Sequence, residues 1–399
     1  MSVLSAARVE GPLVVYRAGF EAELAALGYT ELSATQQVRL LGHLSRWLAD
    51  HDVEPAGLDR EGVEAFLAER RAAGHIQWIS WEGMRPLLPF LMAVGAVPAI
   101  GLPVDPSPAG EVLESFRRYL VEERGLVASS VSSYMAVARR FLAARSGPGG
   151  VDLGSLMAAD VARFVVAECE AGGGKGVVTA LRCLLRFLFL EGEVPTLLCG
   201  AVPAVAGWSG ATLPKAAAPS DVAAVLASCD RGRPMGQRDF AVITVMARLG
   251  LRAGETAGLC LEDIDWRAGE LVVRGKARRD ERLPLPADVG EAIVAYLRQG
   301  RPRSRCRKVF LRARAPWVGL SQPAVTTIVY AARARAGVPR FGAHCLRHSA
   351  ATEMLRNGAG LAEIAEVLRH HDPLTTSMYA KVDHASLREL AQPWPGAQQ

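Results

Sequence analysis

Residues His344 to Tyr379 read HCLRHSAATEMLRNGAGLAEIAEVLRHHDPLTTSMY. Two helices are legible here, Ala343–Asn357 and Ala362–His370, with Gly358 standing where a helix C-cap glycine belongs. His344 and Arg347 are three apart on the first helix, so they share one face. Arginine offers a planar fork of donors matched to phosphate, and histidine can donate or exchange a proton near neutral pH. Taken alone, such a pair is usually a solvated face or an ion-pair site. His344 and His348 also have metal-ligand spacing. The metalloprotease pattern needs Glu after its first His, however, and Cys345 stands there, so no metal site is expected. The second helix ends in Leu368-Arg369-His370-His371, and Tyr379 follows nine residues after His370.

Working toward the N-terminus, Gln322–Ala336 and Val289–Arg298 read as helices. Leu271-Val272-Val273 and Leu283-Pro284-Leu285 read as two short strands around the charged turn Gly275–Glu281, which carries Lys276. Before them, an apolar helix over Asp239–Leu249 runs into Gly250-Leu251-Arg252-Ala253-Gly254-Glu255. Ser220 is placed to cap a helix over Asp221–Ser228. Residues 201–219, punctuated by Pro and Gly, read as a linker. The first 200 residues are helical by their three- and four-residue apolar spacing, as in Val38, Leu41, Leu44 and Leu48. They also repeat. Val63-Glu64-Ala65-Phe66 matches Val161-Ala162-Arg163-Phe164, and Phe90-Leu91 through Val97-Pro98 matches Phe187-Leu188 through Val194-Pro195, at offsets of 98 and 97. A duplicated helical domain is the expectation. The fold class that results is mainly α, with a small β hairpin in the C-terminal domain and helical domains before it.

The composition narrows the function. Half of the 399 residues are hydrophobic, which excludes a wholly disordered chain. Seven cysteines without a CxxC pair argue for a reduced, cytoplasmic protein and against a zinc knuckle. The apolar stretch Leu87–Val104 is broken by Pro89, Pro98 and Pro103, so no membrane span is expected. Charge is graded along the chain. Residues 1–106 carry a net of −5, residues 107–210 are neutral, and residues 211–399 hold 28 basic and 18 acidic residues, a net of +10. A basic C-terminal half suits a polyanionic partner, nucleic acid first. Arginine supplies 41 of the 46 basic residues, as a GC-rich genome would also dictate. Seven basic residues fall between Arg301 and Arg314, a solvated loop or a set of phosphate contacts. Trp266 and Trp317 read as core.

In order and interval, these clusters resemble the tyrosine recombinases, the phage integrase family, over about residues 212–385. The resemblance implies a catalytic domain at 220–399 and a core-binding helical domain at 107–200, whereas the helical block at 1–106, the expected duplicate, lies outside the family's common two-domain plan. It implies that Arg252, Arg347 and His370 neutralise the phosphate, that Lys276 protonates the departing 5′ hydroxyl, and that Tyr379 is the nucleophile. Tyr379 would form a covalent 3′-phosphotyrosine bond that a second 5′ hydroxyl resolves, with no cofactor and no metal. A phenol has a reference pKa of about 10, so it needs a base. His344 is the expected one, with Glu255 orienting its neighbours and His348 read as a packed helix residue. The implied partners are double-stranded DNA recombination sites, bound by a homotetramer spanning two of them, and accessory recombinases. Arg369 departs from the family pattern, which has glycine before this histidine. The alternatives are a type IB topoisomerase-like enzyme and a catalytically silent DNA-binding protein on the same fold. The extra block favours a mobile-element integrase.

Overall fold

The computed structural model describes residues 7–100, 108–147, 150–172, 174–204, 216–275, 280–370 and 373–382. Lys276, His371 and most of the linker lie outside them. The chain forms two compact units. Ile100–Ser209 is one, and Met1–Ala99 with Gly210–Gln399 is the other. No helix among the described residues is long and apolar enough to cross a membrane.

The N-terminal segment contributes helices α1 (Arg17–Ala26), α2 (Glu31–Asp50), α3 (Arg60–Ala72) and α4 (Leu87–Ala93). The Ile100–Ser209 unit holds α5 (Pro108–Arg118), α6 (Ala128–Ala143), α7 (Ala158–Glu170) and α8 (Lys175–Leu190), with a two-residue ribbon of β1 (Ser146–Gly147) and β2 (Gly150–Val151) between α6 and α7. Phe116, Phe141, Leu181, Leu184 and Leu188 form its core. The two sets of four helices end alike. Val94 N–H reaches Phe90 O at 3.0 Å and Ala96 N–H reaches Leu91 O at 2.9 Å. Glu191 to Phe187 and Glu193 to Leu188, 97 residues on, have the same two lengths. The sequence match between these segments is thus accompanied by matching backbone geometry at the same offset.

The C-terminal part comprises α9 (Pro219–Ala227), α10 (Pro234–Leu249), α11 (Ala253–Gly258), α12 (Ala287–Ala295), α13 (Gln322–Ala336), α14 (Ala343–Arg356), α15 (Leu361–Leu368) and the short α16 (Pro373–Ser377). Its antiparallel sheet runs β3 (Ile264–Asp265), β4 (Glu270–Arg274), β5 (Asp280–Pro284), with Leu271 opposite Leu283 and Arg274 opposite Asp280. Helix α10 is apolar almost all round and therefore central. Val242, Ile243, Val245, Met246 and Leu249 are all buried in the cluster that Val289, Ile293, Val325 and Val329 complete. The helix at 322–336 stands as read and β4 contains the expected 271–273, but β5 begins at Asp280, inside the expected turn, and ends at Pro284, and β3 adds a strand too short to leave a periodic signal. Ser220 does not cap α9, because Pro219 already occupies the first helical position and Ala218 the cap. Trp266 is not core, being 48% exposed.

Two features of the Met1–Ala99 segment escape periodicity. Arg70 and Arg71 look like surface cations in sequence, but Arg70 is buried and donates to Trp78 O and Gln77 O, while Arg71 binds Ile79 O and Glu64. They clamp the segment after α3, although Arg71, like Arg39 and Arg46, is exposed. The second feature is a contact with the C-terminal part. Trp317 N–H donates to Leu27 O at 2.8 Å, and the indole lies over Gly28, where an added Cβ would stand 2.1 Å from the ring. Gly28 has φ +81°, a left-handed conformation that also favours glycine. Gly28→Ala should therefore unseat Trp317 and lower stability by roughly 1–3 kcal/mol, the range for overpacking, in urea unfolding followed by tryptophan fluorescence.

Candidate active site

Helix α10 ends in Gly250, whose φ of +60° turns the chain so that Leu251 enters the core and Arg252 emerges from it. A Cβ on Gly250 would meet Leu368 at 2.5 Å, so α15 packs directly on this turn. Glu255, three residues on, accepts from the Arg252 backbone N–H at 2.8 Å and from Arg252 Nη1 at 2.6 Å. One carboxylate thus caps α11 and aims the Arg252 guanidinium.

Arg347 projects from α14 into the same junction and is 1% exposed. Its Nη1 donates to Gly250 O at 2.6 Å and its Nη2 to Leu368 O. Burial, with the nearby charges of Arg252 and Arg369, pushes its pKa down to about 10, which still leaves it charged at neutral pH. Arg369 ends α15 in a left-handed conformation, φ +56°. Its side chain is buried and pairs with Glu255 at 2.8 Å. Burial disfavours the ionised Glu255, yet the Arg369 charge and the Arg252 hydrogen bonds outweigh it and hold this carboxyl below the usual range.

Tyr379 lies in the 3₁₀ turn Met378–Val382, packed with Ala351, Ile364 and Leu368 and only 1% exposed. Its hydroxyl is 2.8 Å from His348 Nδ1. The expectation that His348 merely packs its helix is therefore corrected, because it is the histidine that touches the phenol. The reason is helical phase. His344 sits one turn earlier, with an exposed ring that meets His348 edge-to-face at 4.5 Å. His370 lies parallel to Tyr379, centroids 6.4 Å apart, and its Nδ1 is 2.8 Å from Thr376 Oγ1. Thr376, between His370 and Tyr379 in the chain, is thus the side-chain partner of His370. The structure thus brings Arg252, Arg347, His344, His370, Tyr379 and Glu255 to one region, and β4 and β5 bracket the undescribed residues 276–279.

The histidines here are neutral. Burial, then His344 and Arg347, push His348 down to about 4. Burial, then Arg347, Arg252, Arg369 and His344, do the same to His370. Burial raises the Tyr379 pKa, with Arg347 opposing. The site therefore holds a protonated phenol, a neutral imidazole able to accept its proton, and a set of guanidiniums. That is the equipment for attack by a tyrosine on a phosphodiester.

Of the basic run 301–314, Arg301 donates to Val309, Cys306 and Lys308 carbonyls, Arg307 pairs with Glu262, and Lys308 Nζ reaches Gly258 O at 2.6 Å. These three hold the loop together, while Arg303, Arg305, Arg312 and Arg314 are exposed.

Fold and site define a phosphoryl-transfer protein of the tyrosine-nucleophile class. The phage integrase family profile matches residues 217–386. The integrase/recombinase y4rA of Sinorhizobium fredii (strain NBRC 101917 / NGR234) is 41% identical over 398 residues, 98% of this chain and 96% of that protein. The tyrosine recombinase XerD of Mycobacterium tuberculosis (strain ATCC 25618 / H37Rv) is 31% identical over 71% of this chain and 96% of its own. Among solved structures, the XerH site-specific recombinase bound to its palindromic difH substrate, a post-cleavage complex, superposes with a TM-score of 0.55 at 19% identity, over 73% of this chain and 99% of that one. The chain belongs to the phage integrase family: it is a tyrosine recombinase, an enzyme that cuts and rejoins DNA.

The depressed histidine pKa values set a pH dependence. Between about pH 4 and the ordinary histidine value of about 6.5, the unfolded chain binds more protons than the folded one, so stability rises with pH across that window and is fully present above it. The urea midpoint should fall on acidification from pH 7 to 5. His348→Gln should show a smaller fall, measured by parallel unfolding curves at the two pH values.

Proposed function

We propose that Tyr379 attacks the scissile phosphate and passes its proton to His348, with Arg252, Arg347 and His370 neutralising the phosphate and Lys276 protonating the 5′ leaving oxygen. The carrying observation is the 2.8 Å contact between Tyr379 Oη and the neutral His348 Nδ1. His344, the base expected from the sequence, meets this acceptor edge-to-face and orients it. Because the phenol is buried, it must leave its pocket to reach DNA. The attack forms a tyrosine–3′-phosphate bond and releases a 5′ hydroxyl. The same steps reversed, with a different 5′ hydroxyl, rejoin the strand without ATP.

The programme is integration of a mobile element by a homotetramer spanning two duplex sites, supported by the motif resemblance and by the description of the full-length relative as an integrase/recombinase. Residues 107–200 serve as the core-binding domain. Residues 1–106 are a duplicate of it that has turned from DNA to protein contacts, in keeping with the net charge of −5.

Tyr379→Phe should abolish the covalent protein–DNA adduct while sparing DNA binding, measured by denaturing and native gels on one nicked duplex. His348→Gln should slow adduct formation by about 10²–10⁴-fold, the usual worth of a general base, and by more than His344→Gln does. A larger loss with His344→Gln would return the base role to His344.

Lys276→Ala tests the acid. A 5′-bridging phosphorothiolate departs as a thiolate and needs little protonation. Lys276→Ala should therefore be slow on ordinary DNA and recover by roughly 10²-fold or more on the sulfur substrate. Arg252→Ala should stay slow on both. Equal Lys276→Ala defects on the two substrates would remove the acid role from this residue.

A further inference from the structure

Arg369 combines three features that a surface arginine lacks. Its backbone is in the left-handed region, φ +56° and ψ +50°, a conformation unfavourable for a residue with a Cβ. Its side chain is only 3% exposed, so the guanidinium has been taken out of water at a cost. Its contacts lead to two separate elements. Nη2 donates to Glu255 Oε2 at 2.8 Å, and Nε lies 3.9 Å from Glu281 Oε2 on β5. That Nε is a buried donor with no hydrogen-bond partner among the described residues. Strain, desolvation and a donor unmet among the described residues all persist here, which points to a task that this arginine has taken on in this chain.

The task follows from Glu255. This carboxylate holds Arg252 through two hydrogen bonds, at 2.8 and 2.6 Å. A carboxylate bound to the arginine that must meet a phosphate competes with that phosphate and repels it. Arg369 supplies the compensating charge from the other side, on the second carboxylate oxygen. With it, Glu255 stays satisfied when Arg252 turns toward DNA. Without it, Glu255 retains Arg252 and places an uncompensated negative charge beside the scissile group. Since β5 leaves the turn that carries Lys276, the approach of Arg369 to Glu281 brings the strand of the acid into the same charge network.

Resting on the recombinase reading above, we infer that Arg369 is a positioning residue: it neutralises Glu255 so that Arg252 is released to the phosphate, and it ties β5 to that switch. The partner sets are Arg252–Glu255–Arg369 and Arg369–Glu281, and none of these contacts requires Arg369 itself to touch DNA.

Arg369→Gly is the informative variant, because glycine accepts the left-handed backbone and the fold should survive. The probe is the nicked duplex that the wild-type chain itself selects from a randomised library, and the readout is the single-turnover rate of adduct formation at saturating protein. Arg369→Gly should be about 10-fold slower with unchanged duplex affinity, within the span of couplings between residues of one network. Arg369→Lys should recover most of the rate. Glu255→Gln, which keeps the cap but removes the charge, should restore the Arg369→Gly rate toward that of Glu255→Gln alone. In the absence of DNA, the same pair should show coupling in a double-mutant cycle of urea unfolding. Wild-type rates for Arg369→Gly, or a double variant no faster than Arg369→Gly, would overturn the inference. A wild-type chain that forms no adduct with any selected duplex would overturn the recombinase mechanism instead, and the unfolding cycle would still decide whether Arg369 and Glu255 act as a pair.

Discussion

Everything at the site hangs on one buried guanidinium. Arg347 reaches from α14 to the carbonyl that ends α10 and to the carbonyl that ends α15. Those two helix ends expose carbonyls that no intrahelical donor satisfies, and a cation at a helix C-terminus meets a favourable dipole. One side chain thus satisfies two termini and fixes the segments that follow them, Leu251-Arg252 after α10 and Arg369-His370 after α15. The interaction withstands burial because its acceptors are fixed carbonyls on both sides. Removing Arg347 would leave both ends open and separate Arg252 from His370, so its loss is structural as well as chemical.

The turn geometry shows why the site needs this tie. Gly250 brings the backbone against Leu368, and no larger residue fits there without displacing α15. On the other side, Arg369 adopts the left-handed conformation with a full side chain and finds a carboxylate for it. Two adjacent helix ends therefore solve the same backbone problem in opposite ways. One omits the side chain, while the other retains it and recovers the strain through an ion pair. The family pattern read from the sequence has glycine at the second position. The structure explains why, and also explains how an arginine is tolerated.

The sequence made most of this site legible because its residues lie at helix ends, where spacing and turn residues are informative. The interval from His370 to Tyr379, the pairing of His344 with Arg347, and the hairpin around Lys276 are all local patterns. What it did not reveal depends on side-chain direction or on distance along the chain. His348 could not be told from His344 as the partner of Tyr379, since both lie near Arg347 and only the docking of the 3₁₀ turn against α14 selects between them. The burial of Arg70 is invisible in sequence, because nothing in a helical period indicates that the carbonyls of Gln77 and Trp78 fold back onto it. Trp317 read as core, but its seat is Gly28, almost three hundred residues away, and no periodic signal records that pairing.

The same electrostatics that position the groups also time the chemistry. In the DNA-free protein, burial keeps both imidazoles neutral, aided at His348 by His344 and Arg347 and at His370 by Arg347, Arg252, Arg369 and His344. Positive charge is thereby concentrated in guanidiniums, which do not titrate at neutral pH and so do not lose their phosphate affinity to a proton. A phosphodiester arriving among them brings a negative charge into the same region. Opposite charge nearby favours the protonated form of a histidine. On the proposed mechanism, binding of the phosphate therefore raises the basicity of His348 at the moment when Tyr379 gives up its proton. Before DNA is present, the imidazole is a weak base and the phenol, its own pKa raised by burial, stays protonated and unreactive. On the proposed mechanism, substrate binding and activation of the nucleophile are coupled through the charge on the phosphate itself, alongside the release of the phenol from its pocket.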